Sequence, residues 1–261
     1  MNLSVALTAA DSSHLGRLDY ASLSQQALME MLIDGISNRE IICGEKDAPD
    51  DISEWRTVAL NERKEVTSIQ LPSSLLKGSV HLQWLPPTVE ILIGKNNRLC
   101  GTMDLTHLPD SLRELQLQKN KLSSSIVLTR LPKNLQVLAL HHNDLAGTLD
   151  CDNLPKSMEM LYLYHNRFSG SISMSRLPPK MKVFSVSWNR LSGPVNLTML
   201  PEVLEELYLN DNNFSGHTNF SELPKSVFYL DVSSTEISGE LHVNACRFRE
   251  EKFEFLVDNS K

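Results

Sequence analysis

From Leu85 onward the apolar positions of this chain fall into sets that each open on a leucine followed by proline. These leucines are Leu85, Leu108, Leu131, Leu154, Leu177, Leu200 and Leu223, each 23 residues after the last. A fixed period between 20 and 50 residues signals a stack of small units rather than one globule. Within a unit the order is LPxxLxxLxLxxNxLxGxL, as in the run from Leu131 to Leu149. The alternation Leu138-Ala139-Leu140 has the period of two of a strand with one face buried and the other exposed. Stacked units set equivalent strands about 4.8 Å apart in one parallel sheet. Eight units fit the frame: 62–84, 85–107, 108–130, 131–153, 154–176, 177–199, 200–222 and 223–245. The first lacks the Leu-Pro pair, but Val66, Ile69, Leu71, Leu76, Gly78 and Val80 fall in phase.

Asn97, Asn120, Asn143, Asn166, Asn189 and Asn212 share one slot of the unit. An amide turned inward there bonds loop N–H and C=O groups that would otherwise be orphaned, which a carboxylate or an aliphatic group does not do. Ends of such a stack expose apolar edges and need covers. Residues 1–61 read as a helical N-terminal cap, with Leu28, Met29, Leu32, Ile33 and Ile36 in a helix started by Ser24 and stopped near Gly35. Residues 246–261 read as a C-terminal cap, in which Phe253 and Phe255 alternate as a short edge strand expects.

The repeat resembles that of the leucine-rich repeat family. Phe168-Ser169-Gly170-Ser171-Ile172 and Leu191-Ser192-Gly193-Pro194-Val195 look like its plant-specific subclass, and arrays in protists such as kinetoplastids are similar. The resemblance spans about seven tenths of the chain and implies an α/β-type repeat solenoid, curved, with the parallel sheet on its concave face. It also implies that this face binds a protein or peptide. The family's N-terminal cap normally closes with cysteines around a tryptophan. Here Trp55 is present, Leu60 occupies the slot of the second cysteine, and Cys43 has no evident partner.

Cys43, Cys100, Cys151 and Cys246 are scattered one per region with no close pair, which argues against a disulfide framework. Residues 1–10 lack a basic flank and a sustained apolar core, and no stretch reaches membrane-spanning length. An intracellular, cytoplasmic setting follows as the expectation. Against it stand three glycosylation acceptor tripeptides, Asn196-Leu197-Thr198, Asn213-Phe214-Ser215 and Asn219-Phe220-Ser221. The alternative is therefore a glycosylated, extracellular receptor-like or adhesion ectodomain without its anchor. Residues 1–61 hold four Lys/Arg against ten Asp/Glu, so most of the net charge of −7 lies in the cap region. The array is nearly neutral, and no basic face of the kind that binds nucleic acid is visible.

Because the inward slots are aliphatic, function falls to the outward ones. These carry Glu114, Gln116, Gln118 and Lys119 in the third unit, Val137, Ala139, His141 and His142 in the fourth, and Met160, Tyr162, Tyr164 and His165 in the fifth. Val183, Ser185, Ser187 and Trp188 follow, then Glu206, Tyr208, Asn210 and Asp211, and last Tyr229, Asp231 and Ser233. His142, His165 and Trp188 share a slot, which places their rings on adjacent strands about 5 Å apart. Tyrosine and tryptophan combine apolar area with a polar tip and few rotors, so an exposed group of them marks a contact surface. The candidate site is His141, His142, Tyr162, Tyr164, His165, Trp188, Tyr208, Asn210 and Asp211. Acidic Glu205, Glu206, Asp211 and Asp231 border it on one side, and Lys119 and Arg113 on the other. The neighbouring histidines invite a zinc reading, but no second carboxylate orients them and no metal, phosphate or nucleophile motif occurs. The expectation is a monomeric, non-enzymatic scaffold without cofactor or metal.

Overall fold

The computed structural model describes residues 20–73, 75–240 and 254–256. The expected strands form at the expected interval: Ile69, Leu92, Leu115, Leu138, Leu161, Phe184, Leu207 and Leu230 are paired in register and fully buried. They belong to a ten-stranded sheet, parallel throughout except at its start, where Val58–Leu60 runs antiparallel to Val66–Gln70. At its far edge Glu254–Leu256 pairs with Tyr229–Asp231, so Phe255 lies in a strand. Phe248, Phe253, Cys246 and residues 1–10 lie outside the described residues.

Each Leu-Pro pair sits at a corner. The N–H of the residue three after the proline bonds the proline carbonyl, as in Leu135 to Pro132 at 3.0 Å and Met181 to Pro178 at 3.0 Å. Proline has no N–H to leave orphaned there, and its ring stops the strand from running on.

A second, eight-stranded parallel sheet was not expected. It runs from Lys77–Gly78 to Glu236–Glu240 through the Leu-x-Gly segments, such as Asp144–Gly147 and Arg167–Gly170. Glycine is required where it recurs: Gly147 has φ 92, and a Cβ on it would come within 3.0 Å of Ser125 Cβ. Between the two sheets, one continuous apolar cluster extends from Met29 to Val232.

The asparagine slot links consecutive units. Asn143 Oδ1 accepts from Leu122 N–H at 3.0 Å, while its Nδ2 donates to Leu117 and Leu140 carbonyls at 3.0 and 2.9 Å. Asn120, Asn166, Asn189 and Asn212 repeat this pattern. Asn97 accepts from Leu76 N–H at 3.0 Å and donates to Gly94 and Lys95.

Before the repeats lies the helix Gln25–Ile33, whose N-terminal Ala27 N–H bonds the Ser24 hydroxyl at 3.2 Å. Its Leu28, Met29, Leu32 and Ile33 are buried, and Ile36 bridges to Gly78. Trp55 is buried and donates its indole N–H to Asp50 O at 2.8 Å.

Candidate functional site

Register alone builds the outer face of the ten-stranded sheet. Gln116, Ala139, Tyr162, Ser185, Tyr208 and Asp231 are in-register partners across six strands. Alternation puts Gln118, His141, Tyr164, Ser187, Asn210 and Ser233 on the same face two residues on. The residue after each of these turns left-handed. Lys119, His142, His165, Trp188, Asp211 and Ser234 have φ between 51 and 57. That conformation is uncommon for residues other than glycine. Bonds from the next unit hold it in place: His142 N–H to Tyr164 O at 3.0 Å, and Trp188 N–H to Asn210 O at 3.0 Å.

This turn aims its side chains outward and stacks them. His142 and His165 lie with ring centres 4.3 Å apart and planes 16° from parallel; His165 and Trp188 follow at 4.8 Å and 17°. Beside them His141 stacks on Tyr164 at 4.2 Å and 12°. Trp188 closes the row and is 51% exposed. Tyr208 leans the other way, onto Tyr229, at 4.7 Å.

Between these two aromatic groups the rings stop. Ser185 separates Tyr162 from Tyr208, Ser187 separates Tyr164 from Asn210, and both serines are buried by their taller neighbours. The result is a groove of about 380 Å³, whose lining carboxylates are Glu206 and Asp231. A second groove of about 450 Å³ lies over Ala139, with Gln118 and His141 in its lining. A third groove, about 1330 Å³, lies away from this face, around Tyr20, Trp84 and Leu108. Its Asp104 is engaged by Thr106 and His107.

Electrostatics follow from this packing. Burial, reinforced by His142, Lys119 and His165, holds the His141 pKa down at about 4. His142 is lowered chiefly by burial and then by His165 and Lys119. Both rings are therefore uncharged at neutral pH, so His141 stacks on Tyr164 and His142 on His165 while the two histidines meet edge-on. Burial raises Tyr162 and Tyr164. Burial first, then the bond from its hydroxyl to Glu206 Oε2 at 2.8 Å, raises Tyr208. Three buried polar atoms on this face have no partner: Gln118 Oε1, His141 Nδ1 and Asn210 Oδ1.

His141, His142, Tyr162, Tyr164, His165 and Trp188 thus form one continuous patch, with Tyr208 and Asp211 across the serine gap. Asn210 needs correction as an exposed contact. It is 9% exposed, donates from Nδ2 to Asp211 at 2.7 Å, and forms a wall of the groove. Ala139, Val183, Ser185, Ser187 and Asp231 occupy outward slots yet are buried, because short side chains about 5 Å from long ones are roofed over. Arg113 is drawn off to Glu90 at 3.6 Å. The serines were visible as outward residues, but their importance lies in what stands beside them. Their one sequence signal is the break they make in a run of aromatic slots. Among the described residues no group of three or more His, Cys, Asp or Glu is placed to hold a metal ion.

No protein-family model matches the chain, and comparison with curated proteins gives no match. Solved structures do match. A plant ice-binding protein is 20% identical, with a TM-score of 0.65, covering 89% of this chain and 86% of its own. The leucine-rich-repeat ectodomain of the Arabidopsis thaliana receptor kinase GASSHO1/SCHENGEN3, solved with CASPARIAN STRIP INTEGRITY FACTOR 2, is 20% identical at TM-score 0.56 over 82% of this chain. A TDR receptor is 23% identical at TM-score 0.53 over 74% of this chain. The chain spans 30% and 34% of these two receptor structures. Such identities show a shared fold.

Proposed function

From a chain that has the leucine-rich repeat fold, we propose a non-enzymatic recognition module that binds a protein or peptide on the outer face of the ten-stranded sheet. The supporting observation is the stacked row His142–His165–Trp188, ending in a tryptophan that is 51% exposed. A large ring left in water beside a groove gains by being covered, and tryptophan and tyrosine dominate contact energetics in known interfaces. Because the sheet bonds and the stacking already fix these rings, docking freezes few rotors. One of the similar structures supports this reading, since the GASSHO1/SCHENGEN3 ectodomain was solved with CASPARIAN STRIP INTEGRITY FACTOR 2. In this reading 1–61 and 246–261 close the two ends of the 62–245 array, and the chain acts as a monomer.

The test is affinity capture from native lysate with wild type and the Trp188→Ala/Tyr164→Ala double mutant. The double mutant loses the captured partner while its circular dichroism matches wild type. Capture that persists in the double mutant moves the site to the second sheet or the loops.

The intracellular reading rests on the scattered cysteines, of which Cys43, Cys100 and Cys151 are free among the described residues. The second reading, a glycosylated ectodomain, is favoured by exposure of Asn196, Asn213 and Asn219. Two of these have a structural use: Asn196 Oδ1 accepts from Thr198 N–H at 2.9 Å, and Asn219 Oδ1 from Ser221 N–H at 2.9 Å. Asp104 makes the same turn with Thr106 at 2.8 Å, so the tripeptides recur because the corner needs a side-chain acceptor. Among the described residues no helix is long and apolar enough to cross a membrane. Glycan occupancy at Asn196, Asn213 or Asn219, read by mass spectrometry of the native protein, selects the ectodomain; unmodified asparagines select the intracellular module.

A further inference from the structure

The groove over Ser185 and Ser187 is one strand wide and walled by rings. Tyr162 and Tyr208 stand on the strands either side of Ser185, two strand spacings or about 10 Å apart. Tyr208 packs on Tyr229 rather than across the gap, so the space above the serines stays open. A planar group lying midway would rest about 5 Å from each wall, within the roughly 6 Å reach of a cation over an aromatic face.

The charge lining this space has one sign. Glu206 and Asp231 are its carboxylates, and no lysine or arginine lines it; Glu206 Oε2 accepts from the Tyr208 hydroxyl and Asp231 Oδ1 from Ser233, but neither carboxylate has an ion-pair partner among the described residues. Asn210 lines the same wall. It is nine-tenths buried, its Nδ2 is spent on Asp211, and its Oδ1 is without a partner in the groove wall.

We propose that this groove receives an arginine side chain from a basic segment of a peptide or protein partner. The guanidinium would lie between Tyr162 and Tyr208 over Ser185, donating toward Glu206 and Asp231. Arginine suits the space better than lysine because its charge is planar, stacks on rings and carries several donors in a fork. The inference rests on the reading of this face as a protein-binding surface and names the chemistry it recognises.

Trp188, on the groove rim, is the exposed one of three tryptophans and reports binding by its fluorescence. The probes are hexa-arginine, its uncharged isostere hexa-citrulline, and hexa-lysine. Hexa-arginine is expected to bind at least tenfold more tightly than hexa-citrulline and several-fold more tightly than hexa-lysine. Ser185→Tyr fills the gap with the side chain its two neighbouring strands already carry at that slot, so the register accommodates it, and it leaves the net charge of the chain unchanged. It is expected to weaken hexa-arginine at least tenfold, which separates the groove from general attraction to an acidic chain. Glu206→Gln with Asp231→Asn is expected to reduce the preference for arginine over citrulline.

Absence of hexa-arginine binding, equal binding of hexa-citrulline, or indifference to Ser185→Tyr overturns the inference. A selection from displayed random dodecamers then separates the two levels. Selected peptides lacking arginine whose binding is lost in Trp188→Ala/Tyr164→Ala overturn the cation groove and leave the binding face standing. Selected peptides indifferent to both variants overturn the binding face as well.

Discussion

Asn143 illustrates what a single side chain contributes, since its one amide accepts from Leu122 and donates to carbonyls of two successive units. Asn143→Asp keeps the shape but replaces the donor by a carboxylate oxygen facing carbonyls. A loss of about 1–3 kcal/mol is expected, read as a lower urea midpoint; an unchanged midpoint would refute the role. His141 couples stability to pH. Its folded pKa of about 4 lies below the ordinary 6.5, so as pH falls the unfolded chain takes up the proton first. Stability is full above about pH 6.5 and is lost progressively toward pH 4. His141→Gln is expected to flatten the stability profile across that window, as measured by denaturation at several pH values. The asparagine slot was legible in the sequence because it recurs every 23 residues. The burial of Asn210 was not, because it depends on the heights of its neighbours rather than on its own chemistry.

Among the elements, the long sheet was legible because its strands alternate apolar and polar residues, whereas the second sheet was missed. Its segments, such as Arg167–Gly170, carry one buried apolar residue among small and polar ones, too short a run to show a period of two, and they pair through backbone bonds. Ser124 tests the geometry of this sheet. It occupies the slot held by Gly101, Gly147, Gly170, Gly193 and Gly216, and has φ 97 like them. Ser124→Gly relieves backbone strain of order 1–3 kcal/mol, offset in part by the greater freedom of unfolded glycine. A net gain of about 1 kcal/mol in chemical denaturation is expected, and destabilisation would contradict the strain. The helix Gln25–Ile33 tests the proposed closure of the N-terminal end. Leu32→Ala, at a fully buried position, is expected to cost about 2–5 kcal/mol and to raise hydrogen exchange first in the strand Val66–Gln70.

At the level of the whole molecule, each unit leans on its neighbours, so a defect in the middle spreads both ways. Phe184→Ala, in the sixth unit, is expected to cost about 3–5 kcal/mol and to split a single unfolding transition into two. One sharp transition in the variant would mean that coupling between units is stronger than nearest-neighbour packing supplies. The register of the strands and the aliphatic identity of the interior could be read without coordinates, because a period of 23 residues leaves one way to align strands that bury alternate side chains. The occurrence of His142, His165 and Trp188 in one slot was equally plain. Folding alone determined that this slot turns left-handed and stacks its rings, and that two serines sink between tyrosines into a groove. Those features arise from contacts between side chains 21 to 46 positions apart along the chain, and no local pattern encodes the space left between neighbours of unequal height.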